Sequence, residues 1–217
     1  MTVVQAKTVS RRKRNSSFWR ELPILLGAAI VVAILVRTFV MQTYYVPSGS
    51  MEHTLNINDR VLVNKLADDF RDPERGEIIV FHSPVNWRQE ADETVFVKRV
   101  IGIPGDHIVC CSADGKLMIN GVAITEPYLN HDQPEPMAAQ WNFNITVPPG
   151  RLWLMGDNRY DSDDSAYNYH TTNNIMDSTV PIKSVIGRAF VLFWPVGRAR
   201  WLTIPSTFDH VPAPGGS

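Results

Sequence analysis

The sequence predicts a mainly β protein whose strands follow one N-terminal transmembrane helix. Three observations predict it. One run, Leu22 to Val36, carries no charge and is preceded by a strongly basic tail. Everything after it breaks into short β-branched apolar runs separated by Pro, Gly, Asn and Asp, the punctuation of strands and turns. No stretch of about ten residues beyond that run keeps a helical apolar period. With 217 residues, 44% of them hydrophobic, the chain can build one substantial core or two small lobes rather than remain disordered.

Residues 1–21 read as a cytoplasmic tail. Lys7, Arg11, Arg12, Lys13, Arg14 and Arg20 stand there against Glu21 alone, a balance of +5, so the remainder of this −1 chain carries −6. A basic tail can bind nucleic acid, but one set against an apolar span flanks a membrane, so the expected partner is the lipid bilayer and not nucleic acid. Residues 22–41 read as an uncleaved signal-anchor helix. About 20 residues span a bilayer, a length reached here by including Arg37, which can snorkel to the headgroups. Pro23 falls in the first turn, where its missing N–H matters least. The rivals are a cleaved signal peptide and a buried core helix. The first wants a shorter apolar core followed by small residues, whereas Arg37-Thr38-Phe39-Val40 follows here.

Residues 42–205 read as an extracytoplasmic β-rich domain, with 206–217 as a C-terminal tail. Strands are expected at Arg60–Lys65, Glu77–Phe81 and Val95–Ile103. A meander of His107–Cys111, Lys116–Ile119 and Val122–Ile124 is divided by the Asp114-Gly115 and Asn120-Gly121 turns. Residues 106–147 form the smaller, variable lobe, with a Pro-, Asn- and Gln-rich loop at 125–141. Arg151–Met155 and Val185–Trp194 return to the core. The six histidines show no metal spacing, and no metal or cofactor is expected. Cys110 and Cys111 are adjacent. A bond between neighbours is strained, so the expectation is two strand cysteines facing opposite sides.

Tyr45-Val46-Pro47-Ser48-Gly49-Ser50-Met51 puts a tight serine turn just beyond the apolar run. Alone, Pro-Ser-Gly-Ser is ordinary turn chemistry. Gly49 allows close backbone approach, and the two hydroxyls alternate around it, so one can react while the other donates to an oxyanion. A serine nucleophile needs a base. Past the apolar run stand four lysines, Lys65, Lys98, Lys116 and Lys183, of which Lys98 alone lies inside an unbroken apolar run, Phe96 to Ile101, apart from its neighbour Arg99. On a strand it shares a face with Phe96 and Val100. Burial there lowers a lysine's pKa toward what a base requires; a lysine paired with a carboxylate or snorkelling at an edge fits the same pattern. Gly156-Asp157-Asn158-Arg159 opens a loop rich in Ser and Asp through Ser165. It lacks the Gly and Glu of a calcium loop, and its carboxylates have Arg99 and Arg159 as natural partners.

Taken in order, these segments resemble bacterial signal peptidase I, the membrane-anchored Ser–Lys protease. The resemblance runs through Pro47–Met51, Asn58–Lys65, Arg75–Phe81, Val97–Asp106 and Gly156–Ser165, and covers most of residues 37–195. It implies a catalytic domain of coiled antiparallel sheets. It implies Ser50 as nucleophile, Lys98 as base, and the Ser48 hydroxyl with the Ser50 N–H as the oxyanion site. Ser162 is implied as the hydroxyl that hydrogen-bonds the lysine, and Asp164, Arg99 and Asp157 as supporting residues. Tyr160 departs from the family pattern, where aspartate is common, and Asp161 stands where asparagine is expected. The implied partners are secretory preproteins emerging from export machinery. The implied place is the bacterial cytoplasmic membrane, single-pass, with the N-terminus inside. Substrate would lie along the site as a strand, with small pockets walled by Tyr45, Val46, Ile78 and Phe81. The alternatives are a self-cleaving Ser–Lys repressor, which would need a helix-turn-helix, and a non-catalytic anchored β-domain that binds an extracytoplasmic peptide or envelope partner.

Overall fold

The computed structural model describes residues 18–35, 41–66, 71–129 and 137–215, with side chains described for 21–32 of the first helix. The chain divides into two compact units, 1–39 and 40–217. The first contains α1, Phe18–Leu35, whose apolar side chains at Ile24, Leu25, Leu26 and Val31 are exposed. Among the described residues no helix is long and apolar enough to cross a membrane. The helix begins four residues before the expected span and ends six before its limit at residue 41; Arg37 lies outside the described residues, and Met41 already belongs to a strand.

The second unit is two antiparallel sheets. The larger, eight-stranded among the described residues, runs β1 (Met41–Tyr45), β2 (Arg60–Asn64), β11 (Val185–Trp194), β3 (Ile78–His82), β4 (Val95–Gly102), β9 (Arg151–Met155) and β10 (Val180–Pro181), with β12 (Arg200–Trp201) paired to β11. Register shifts between β11 and β2, β11 and β3, and β4 and β9 mark bulges that bend these long strands. The smaller sheet is β7 (Val122–Ala123), β6 (Met118–Ile119), β5 (His107–Cys110) and β8 (Phe143–Thr146), all within residues 106–147. Its tightest hairpin turns on Asn120 and Gly121, both at positive φ (50° and 80°), the geometry for which Asn-Gly is suited.

Two helices depart from the all-strand expectation: α2, Ser165–Thr172, and α3, Ile175–Ser178. The Asp164 carboxylate accepts from the Ala166 and Tyr167 N–H groups and starts α2; Asn173, at positive φ, stops it. The cysteines also differ from expectation. Cys110 and Cys111 are joined to each other across a cis peptide bond at the end of β5, so they do not face opposite sides of a strand.

The β1–β2–β11–β3 face packs Val46, Met51, Leu55, Val61, Val63, Ile78, Val80 and Leu192 into one core. Ile79, Phe81, Trp87, Val100, Leu152, Leu154 and Val180 fill another on the opposite face. Alternation explains the split, since Ile78 and Ile79 are neighbours that point to opposite sides. The smaller sheet closes on Trp153 and Met155 of β9 together with Phe208 and Val211.

Candidate active site

Ser50 sits in a 3-10 turn, Gly49–Met51, four residues after β1 ends. Its position follows from the residue beside it. Met51 is completely buried among Val46, Leu55, Val61 and Val80, which ties the serine to the core at one peptide's distance. The Leu55 and Thr54 N–H groups both donate to the Met51 carbonyl (2.7 and 3.1 Å), closing the turn from the other side. Ser48 is exposed, and its Oγ lies 3.4 Å from Ser50 Oγ.

Lys98 lies within β4, opposite Ile79 of β3. It is 3% exposed, and its Nζ stands 5.7 Å from the centroid of the Phe96 ring, the same-face neighbour expected of a strand. Burial pushes its pKa down to about 8, against the opposing pull of Asp164, Asp163, Asp161 and Asp157. Ser48, Ser50 and Lys98 line one cleft of about 500 Å³. Among the described residues no hydrogen bond joins Ser50 to Lys98; such bonds commonly tighten only when substrate is bound.

The loop after β9 holds the serine turn. The Asn158 N–H donates to the Ser50 carbonyl (3.1 Å), and its Nδ2 donates to the Gly49 carbonyl (3.1 Å). Gly156 is required by the same approach, because a Cβ there would come within 2.4 Å of both the Ser50 carbonyl and Ser162 Oγ. The Gly156 N–H in turn donates to Asp164 Oδ2 (3.0 Å). Asp164 therefore acts as a helix cap and loop anchor. Ser162 Oγ is buried and has no hydrogen-bond partner, so the expected bond to Lys98 is not formed.

Arg99, next to the lysine but on the other face of β4, donates from Nε and Nη2 to Asp157 (2.8 and 2.6 Å) and from Nη1 to the Gly76 carbonyl (2.7 Å). It also stacks on Tyr128, 4.0 Å from its centroid. Thr54 Oγ1 donates to Asp157 Oδ2 (2.5 Å), so the aspartate joins the serine turn to β4. Arg159 pairs outside its own loop, with Glu126 at 2.5 Å. The expected pocket walls are half corrected. Tyr45 and Val46 line the cleft, whereas Ile78 and Phe81 are buried in the two cores; Val61, Val80, Val95 and Val97 take their place.

Thr54 escaped sequence reasoning, because nothing in its neighbours marks it. Asn158 stood in a recognisable segment, but only the fold shows its two-point hold on the serine turn. Among the described residues no His, Cys, Asp or Glu group is arranged to hold a metal ion.

Residues 19–194 match the family model described as "Signal peptidase, peptidase S26". The chain is 37% identical over 205 residues to a probable signal peptidase I-2 of a Synechocystis species, covering 94% of this chain and 87% of the relative. It is 36% identical over 242 residues to a signal peptidase I of Mycobacterium tuberculosis, covering 93% and 80%. It is 31% identical over 195 residues to signal peptidase I P of Bacillus subtilis, covering 88% and 95%.

Proposed function

The chain belongs to the signal peptidase family, peptidase S26, and from that premise we propose that Ser50 and Lys98 are the dyad with which it cleaves signal peptides from exported preproteins. It is a serine endopeptidase of signal-peptide processing. The observation that carries the assignment of the dyad is the shared cleft. A serine fixed by a buried neighbour and a lysine kept short of full protonation open onto the same 500 Å³ space.

The preprotein enters as an extended strand, its small apolar residues before the cut against Val46, Val61, Val80 and Val97. Neutral Lys98 takes the Ser50 proton as Oγ attacks the carbonyl carbon. The Ser50 N–H and Ser48 hydroxyl donate to the oxyanion. Protonated Lys98 then gives its proton to the leaving amine. Water hydrolyses the acyl-enzyme with Lys98 again as base, and Ser50 is regenerated.

The pH dependence tests this reading. Below a lysine pKa of about 8, the neutral fraction rises tenfold per pH unit, so kcat/KM climbs with pH and levels above that value. Asp157, Asp161, Asp163 and Asp164 all favour the protonated form. Replacing Asp161 and Asp163 with asparagine moves the limb to lower pH. A limb that stays in place in that variant would mean that another group titrates.

The same reading makes the apolar run around α1 a single-pass anchor in the bacterial cytoplasmic membrane, with the basic tail inside and the catalytic unit outside. Its support is the +5 tail and the exposed apolar side chains of the helix. At the closing segment of the second unit, Trp194, Val196 and Trp201 are 51%, 70% and 72% exposed, which suits a surface seated in headgroups rather than the capping of a core. A 40–217 fragment is expected to bind vesicles of anionic lipid, and Trp201→Ala to weaken that binding several-fold without altering cleavage of a short soluble peptide. Absence of vesicle association at low salt would refute the seating.

A further inference from the structure

The cleft is lined by Glu90, Asp92, Glu93, Asp161 and Asp163, and among the described residues that line it Lys98 is the sole cation. Elsewhere in the second unit, four buried carboxylates are neutralised: Asp106 by Arg75, Asp157 by Arg99, Glu126 by Arg159 and Glu77 by Arg188. No ion pair among the described residues does this for the five at the cleft; Asp163 instead accepts a hydrogen bond from Gln89 (2.5 Å), across the cleft mouth. Glu90, Asp92 and Glu93 are exposed. Lys98, more than nine-tenths buried and lining the same space, makes no hydrogen bond or ion pair with any of them among the described residues. The cleft thus has a catalytic floor and an unneutralised acidic rim.

Position relates the rim to the substrate. β4 runs from Val95 to Lys98 along the cleft, and Glu90, Asp92 and Glu93 precede it. At about 3.3 Å per residue, the start of β4 is about 10 Å from the lysine. A substrate strand whose residues before the scissile bond run along β4 from Ser50 brings those roughly four to six places before the cut beside the carboxylates.

We propose that this rim selects preproteins by charge, so that a substrate with lysine or arginine about four to six residues before the scissile bond is bound in preference to one with aspartate or glutamate there. The proposal rests on the peptidase reading for the direction of the strand. The opposed carboxylates of an acidic substrate meet like charge at the cleft mouth, whereas a basic side chain finds unpaired acceptors.

The test uses three peptides that differ only at the fourth residue before the cut, as Lys, Gln or Glu, with companion sets at the fifth and sixth. Binding to the full-length Ser50→Ala chain in detergent micelles is read by fluorescence anisotropy, and cleavage is read with the unaltered chain. At low salt the Lys peptide at one or more of these positions is expected to bind about tenfold more tightly than the Glu peptide, roughly twofold per nearby carboxylate. That ratio should fall to near one in the Glu90→Gln/Asp92→Asn/Glu93→Gln variant and in about 0.5 M salt. The single Asp92→Asn change, on an exposed side chain, should give a proportionate part of the fall even if the triple variant folds poorly. A Lys-to-Glu ratio near one at all three positions, or one that survives in the variants, overturns the charge selection. If the binding ratio is present but none of the peptides is cleaved, the peptidase reading fails and the charge selection stands.

Discussion

Ser50→Ala and Lys98→Arg each lower cleavage of a preprotein by about 10⁴-fold or more, while both chains stay folded. The serine change removes one hydroxyl from a turn whose hold comes from Met51 and Asn158, not from the serine's own side chain. The arginine change keeps the positive charge and removes the base, because a guanidinium stays protonated at any working pH. Lys98→Met separates chemistry from stability. The folded lysine has a pKa of about 8 against an ordinary 10.5, so the stability it allows is fully present above pH 10.5 and is lost as pH falls through about 8. At pH 7 that loss is on the order of 3 kcal/mol. A neutral methionine of similar length does not incur it, so the methionine chain is expected to be inactive yet more stable than the unaltered chain at pH 7, with the difference shrinking by pH 10. Thermal melts at the two pH values, beside a preprotein cleavage assay, check both halves. Cleavage by Lys98→Arg at more than a few per cent of the original rate would leave position 98 as a source of charge and nothing more.

The second large effect is on stability. Asp157 is fully buried and accepts from Arg99 Nε, Arg99 Nη2 and Thr54 Oγ1. Asp157→Ala leaves a guanidinium that is 2% exposed without its counter-charge, and the expected cost is about 3–5 kcal/mol. Cleavage falls as well, because Thr54 loses the acceptor that ties the serine turn to β4. Replacing Arg99 with methionine in the same chain should recover part of the stability, since the stranded charge is then gone. Urea midpoints of the single and double variants measure this. A loss below about 1 kcal/mol in the single variant would mean that water reaches the pair and solvates the arginine.

The strands were largely legible because their cause is local. Alternation and turn residues mark β2, β3, β4, β9 and β11 nearly to the residue, and the Asn120-Gly121 pair marks a hairpin on its own. α2 was not legible from periodicity, because its eight residues carry little apolar pattern; its signal was the cap at Asp164, hidden in a run of polar residues. The bond between Cys110 and Cys111 goes with a cis peptide, and nothing in the surrounding residues announces either. In the candidate site, Lys98 was visible as a charge in an apolar strand. The wall residues were not, since Ile78, Ile79, Val80 and Phe81 read alike and only the placement of two cores decides which of them meets the cleft. Ser162 shows the limit of carrying a role over by position, as its hydroxyl is buried in the right loop without reaching the lysine.

The order of strands has a consequence for timing. Ser50 follows β1 and Lys98 belongs to β4, but between those strands the large sheet inserts β2, β11 and β3. β11 is formed by residues 185–194, about ninety positions after the lysine. A chain emerging from synthesis therefore possesses Ser50 and Lys98, the proposed dyad, long before it possesses the strand that lies between theirs in the sheet. Contacts of such sequence separation form slowly. On the proposed dyad, cleavage is therefore expected only from molecules in which the last long strand has been laid in.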